Sequence, residues 1–90
     1  MNALVLGCLT DATGNATTAR RIAAHLMDEH RVTLVNVSSL SGINELREIV
    51  RAQRIDFAVG VHALLSGPFL RAIEVPYALV FGGTDLYEEV

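Results

Sequence analysis

Lysine and tryptophan are absent from these 90 residues, cysteine occurs once and proline twice. Each shortage closes off a class of protein. Without lysine, the seven basic residues are all arginine, scattered as Arg20, Arg21, Arg31, Arg47, Arg51, Arg54 and Arg71. They make no basic stripe and the formal net charge is −3, so nucleic acid is not an expected partner. The single cysteine, Cys8, has no intrachain partner for a disulfide and sits in an apolar run, as a small buried hydrophobe would. No His, Cys, Asp or Glu cluster has metal-ligand spacing, so no metal is expected. Apolar runs are also short. The opening MNALVLGCL falls far below the roughly 20 residues that span a bilayer, and it lacks the basic start of a secretion signal. A reducing, cytoplasmic setting is the expectation.

What the chain does have is core material. It is 51% hydrophobic and 19% charged, which is too apolar for a disordered chain. Ninety residues make one small domain and bury only a modest share of their surface. Some of this apolar content is therefore expected to face a partner or further chain.

Strand and helix patterns alternate. Residues 3–9 form a continuous apolar run, the mark of a strand buried on both faces. After the loop TDATGN, residues Ala19, Ile22, Ala23 and Leu26 recur at helical spacing, with Asn15 placed to cap the first turn. RVTLVNV (31–37) reads as the second strand. A second helix over about 42–54, started by Ser41, carries Ile43, Leu46, Ile49 and Val50 on one face. DFAVGVHA (56–63) reads as the third strand, and residues 67–73 as a short helix with Pro68 in its first turn. YALVF (77–81) is the fourth strand.

Such a chain is expected to fold as an α/β, Rossmann-like parallel sheet of about four strands in the order 2-1-3-4, with helices on both faces. The first helix should cover one face and the second and third helices the other. Strand 77–81 would then form an edge, although it is apolar throughout and has no guarding charge. Continuation of the sheet, in further chain or across a homodimer, would cover it.

The chain reverses direction between the first and third strands, and ligand crevices of open α/β sheets lie beyond the carboxyl ends there. Three stretches converge on that place: TDATGN, HALLSG and GGTD. Gly14 permits a tight turn, and the helix beginning near Asn15 offers unpaired amides to an anion, with Thr13, Thr17 and Thr18 as added donors. An ordinary strand-to-helix turn uses the same residues. The dinucleotide pattern GxGxxG is absent. His62, at the end of a buried strand, can face the crevice as an acid, a base or a hydroxyl partner, or can be structural. His25 and His30 read as structural or solvated. Asp85 can accept from sugar hydroxyls, or Thr84-Asp85 can simply start a helix. Asp11 can act similarly or be a solvated loop acid.

The segments TGNATTARRIAAHL, DFAVGVHA and VPYALVFGGTDLYEE, in that order and at these separations, resemble the start of a family 4 glycosyltransferase. The TGN and GTDLY pieces are also similar to a group of bacterial selenosugar synthases. The resemblance implies the GT-B architecture of two facing Rossmann-like domains and sugar transfer from a nucleotide-sugar donor. It implies retention of anomeric configuration and no metal or other cofactor. Residues 1–90 would be the incomplete first part of the acceptor-side domain, with the nucleotide-sugar domain absent. The expectation is a fragment inactive alone. By the same resemblance Thr13, Gly14 and Asn15 would face the donor phosphates, and His62 and Asp85 would be the catalytic candidates. Asp11, Gly82, Gly83 and Thr84 would lie on the acceptor side. Gly82 stands where the family's His-Gly-Thr-Asp motif has its histidine, which removes an acid–base group from that position.

Two other classes compete. Flavodoxin-like electron carriers also place a Thr-Gly-Asn phosphate loop after the first strand, with FMN as cofactor. HALLSG, however, offers no aromatic ring to sandwich a flavin, which leaves Tyr87 alone for that task. A non-catalytic α/β module that dimerises through its apolar edge strand is the third class.

Overall fold

The computed structural model describes residues 1–9, 14–61 and 63–80, with the backbone alone at 14, 15 and 63–65. Its elements are β1 (Asn2–Gly7), α1 (Gly14–Leu26), β2 (Arg31–Asn36), a 3-10 turn (Val37–Ser39), α2 (Ile43–Ala52), β3 (Phe57–Val61), α3 (Ala63–Leu70) and β4 (Tyr77–Val80). The strands form one four-stranded sheet in the order β2-β1-β3-β4, every neighbouring pair parallel. This is the α/β, Rossmann-like arrangement expected from the alternating pattern.

Side-chain alternation along β1 divides the core into two layers. Leu4 and Leu6 point to one face, where they pack with Ala58 of β3, Val37 of the 3-10 turn, and Leu46, Ile55, Leu70 and Ile73 from α2, α3 and the segments after them. Val5 points to the other and meets Val61 of β3 with Ala19 and Ala23 of α1. Helix α1 thus covers one face and α2 with α3 the other. Burying each leucine contributes about 1.5–3 kcal/mol, so the larger layer carries most of the stability.

Two glycines set how closely helices approach. A Cβ added to Gly7 would lie 3.1 Å from the Cβ of Ala19, so small residues on both sides seat α1 on β1. At Gly60 a Cβ would meet Leu70 Cδ1 at 2.5 Å and Ser66 Cβ at 2.9 Å. Helix α3 therefore rests almost on the backbone of β3.

Element ends differ from the sequence pattern in instructive ways. β1 spans Asn2–Gly7 rather than 3–9, β2 stops at Asn36, and β3 is Phe57–Val61 rather than 56–63. Helix α1 begins at Gly14, so Asn15 lies in its first turn instead of capping it. Gly42, not Ser41, is the N-cap of α2. Ser41 sits one residue earlier, where its amide and hydroxyl both donate to Glu45 Oε2, at 2.8 and 2.6 Å. Only the glutamate half of a capping box is formed, because the Ser41 hydroxyl donates to Glu45 instead of accepting from a first-turn amide. Helix α3 runs Ala63–Leu70 rather than 67–73, which places Pro68 inside it instead of in its first turn. Burial of Ser66 and Leu70 outweighs the hydrogen bond that proline cannot make.

Helix α2 ends in a Schellman motif. Ile55 N donates to Val50 O at 3.0 Å and Arg54 N to Arg51 O at 3.3 Å. Arg54 takes the left-handed conformation, φ 53°, that glycine usually supplies there. Both sheet edges show apolar side chains: Leu34 on β2, and Tyr77 and Leu79 on β4, which are 42% and 37% exposed.

Candidate functional site at the carboxyl ends of the strands

The registers align the strand ends. Gly7 lies opposite Asn36, Leu6 opposite Gly60, and Val61 opposite Val80. Because the strands are parallel, the chain leaves β1, β3 and β4 from adjacent points along one edge. The described strand ends that precede the TDATGN, HALLSG and FGGTD segments therefore lie side by side. This juxtaposition follows from the strand order and the register.

Most of the sequence-predicted site residues fall outside the described residues: Asp11, Thr13, His62, Gly82, Gly83, Thr84 and Asp85. Gly14 and Asn15 form the first turn of α1, whose positive dipole end lies on the same side as the strand ends. Of the other histidines, His25 is exposed in the last turn of α1. His30 stacks edge-on against Phe57, with ring centroids 5.3 Å apart. Its Nδ1 is buried without a hydrogen-bond partner.

Three residues that sequence reasoning did not single out brace this edge. Asn36 ends β2, and its Oδ1 accepts from Leu9 N and from Ser38 N, both at 3.1 Å. It thereby ties the loop leaving β1 to the 3-10 turn leaving β2. Arg20 reaches back from α1 and donates through Nη2 to Leu9 O at 3.3 Å. Ser66 is completely buried, and its hydroxyl lies 2.7 Å from Val61 O and 3.3 Å from Leu6 O. It anchors α3 to the last carbonyl of β3 and the next-to-last of β1. An asparagine closing a β-branched run was a visible signal for the first. A serine inside ALLSGPFL reads locally as a turn, so Ser66 had no such signal.

Electrostatically the described rim is quiet. Glu45, in the first turn of α2, is held below the ordinary glutamate range by its two Ser41 hydrogen bonds, side chain first and backbone second. It is therefore a settled anion at neutral pH and not a proton shuttle. Among the described residues no group of three His, Cys, Asp or Glu side chains is placed to hold a metal ion. No described helix is long and apolar enough to cross a membrane.

No known protein-family model matches the chain, and no solved structure matches it. Among curated proteins it is similar to Glycosyltransferase 1 domain-containing protein 1 of Xenopus tropicalis, with 30% identity over 90 residues. The match takes in 100% of this chain but 26% of that protein, so the chain spans about a quarter of the relative's length. These 90 residues thus combine a parallel, Rossmann-like sheet with a distant glycosyltransferase-like relation.

Proposed function

We propose that this chain is the first part of the acceptor-side domain of a retaining glycosyltransferase of the family 4, GT-B kind. In this reading a sugar passes from a nucleotide-sugar donor to an acceptor in the cytoplasm, with no metal or organic cofactor. The nucleotide-sugar domain belongs to sequence beyond residues 1–90, and the 90 residues alone do not turn over donor. The observation that carries the reading is the identity of 30% along the whole chain, joined to a parallel sheet in the order β2-β1-β3-β4.

The parts divide as follows. First-turn amides of α1, with Thr13, Gly14 and Asn15, approach the donor diphosphate, since a helix N-terminus favours an anion. His62 and Asp85 engage the reacting hydroxyls, and Asp11, Gly82, Gly83 and Thr84 shape the acceptor side. Asn36, Arg20 and Ser66 hold the strand ends and helices on which those loops are mounted. With glycine at position 82, the turn after β4 contributes shape and backbone amides, not acid–base chemistry.

The test is transfer by the longer protein that contains this chain, over a panel of nucleotide sugars, with the product's anomeric configuration read by proton NMR. Retention is expected, with kcat/KM lowered about a hundredfold in Gly14→Val through misplacement of the donor. Clean inversion would remove the retaining assignment. Failure to use any nucleotide sugar would remove the transferase reading.

A further inference from the structure

A groove of about 350 Å³ opens between the second half of α2 and the segment joining α3 to β4. It is lined by Arg47, Val50, Arg51, Ala72, Ile73 and Glu74. Helix α2 runs back from the carboxyl side of the sheet and hands over to β3, while residues 72–74 lead into β4. The groove therefore sits toward the amino ends of the strands, away from the edge where the three loops start. Nothing in the proposed glycosyl transfer uses it.

Its two arginines stand one turn apart on the same side of α2, as i and i+4 residues do. Arg47 is oriented: its Nε donates to Ala72 O at 3.0 Å, which fixes the plane of the guanidinium and leaves its terminal N–H groups free for other acceptors. Arg51 makes no side-chain hydrogen bond to a described residue, and neither guanidinium has an ion-pair partner among the described residues. Glu74 lines the groove without pairing with either arginine. Between these charges lies an apolar floor of Val50, Ala72 and the almost fully buried Ile73. Planar guanidinium forks match carboxylate and phosphate oxygens two at a time.

We propose that this groove binds a small organic oxyanion, its carboxylate or phosphate on Arg47 and Arg51 and its apolar body on Val50 and Ile73. Arg47 is the fixed donor and Arg51 the adaptable one. The Glu74 carboxylate opposes the ligand from the rim and lowers its affinity. The site is separate from the carboxyl-edge crevice, so it does not depend on the glycosyltransferase reading.

The experiment is an NMR titration of the chain with hexanoate, phenyl phosphate and inorganic phosphate, following the Arg47 and Arg51 Nε–H signals and the Ala72 and Ile73 amides. Hexanoate or phenyl phosphate should give saturable shifts at all four, with inorganic phosphate binding more weakly because it leaves the floor uncovered. Arg51→Gln should weaken the organic anion by about fivefold, the upper end for one exposed charge pair, and Glu74→Gln should strengthen it. The Arg51 side chain makes no hydrogen bond to a described residue, so R51Q keeps the fold and its result bears on binding alone. Shifts that never saturate, or an affinity unchanged in R51Q, would overturn the site. Inorganic phosphate binding as tightly as phenyl phosphate would overturn the ligand class.

Discussion

The Ser66 hydroxyl lies 2.7 Å from the carbonyl oxygen of Val61, the last residue of β3, with no exposure to solvent. The same Ser66 hydroxyl is 3.3 Å from Leu6 O on β1, so one side chain in α3 holds both central strands near their carboxyl ends. Ser66→Ala removes the only side-chain donor to these carbonyls among the described residues and should cost about 1–3 kcal/mol, measured by urea unfolding. A loss under a few tenths of a kcal/mol would mean that water satisfies the carbonyls and Ser66 is not an anchor.

Gly60 should be about as unforgiving. A methyl at this position meets Leu70 Cδ1 at 2.5 Å and Ser66 Cβ at 2.9 Å, so Gly60→Ala forces α3 away from β3. Overpacking of this kind costs about 1–3 kcal/mol. Thermal melts of G60A beside G42A give the contrast, because a Cβ on Gly42 meets nothing within 4 Å.

Arg54 gives a prediction of opposite sign. It holds φ at 53° in the Schellman turn after α2, a conformation that costs a side-chain-bearing residue about 1–2 kcal/mol. Its neighbours already make the motif's hydrogen bonds, so Arg54→Gly should raise stability by up to about 1 kcal/mol once the added chain entropy is subtracted. A drop in melting temperature would show that the Arg54 side chain has a stabilising contact worth more than the strain.

Glu45 ties stability to pH. Its folded carboxyl is lowered by the Ser41 hydrogen bonds, so the unfolded chain binds the proton more readily. The contribution is therefore complete above the ordinary glutamate range and is lost as pH falls through the lower, folded value. Glu45→Gln should flatten the acid side of the stability profile while leaving its shape near neutrality unchanged. An acid limb as steep as that of the unsubstituted chain would assign this pH dependence to other carboxylates.

The sheet order and the division of its faces were legible because both rest on alternation. Strand and helix patterns alternate along the chain, Leu4 and Leu6 fall on the opposite face of β1 from Val5, and Ala19 and Ala23 share one face of α1. The limits of α3 were not legible, since Gly67 and Pro68 locally signal a turn. Their effect is outweighed by the seating of Ser66 and Leu70 on Gly60, a contact between distant parts of the chain. The site divides in the same way. The alignment of the strand ends followed from strand order, whereas Asn36, Arg20 and Ser66 act through hydrogen bonds to backbone 11 to 60 residues away. No local pattern encodes such partners.

The exposed β4 strand bears on assembly. Tyr77, Ala78 and Leu79 are exposed at the sheet edge, with no charge to discourage pairing. The isolated chain should therefore associate at high concentration, and Ala78→Lys should reduce its weight-average mass in sedimentation. Association unchanged by this substitution would place the contact elsewhere.

In the proposed function these residues are the acceptor-side part of a glycosyltransferase whose donor domain lies in further sequence. Release of nucleoside diphosphate from a nucleotide sugar tests it most directly, with the 90-residue chain and the longer protein containing it assayed side by side. Acceptor-dependent release by the longer protein and none by the chain alone is the expected result. Turnover by the isolated 90 residues, or bound flavin in place of any nucleotide-sugar activity, would contradict it.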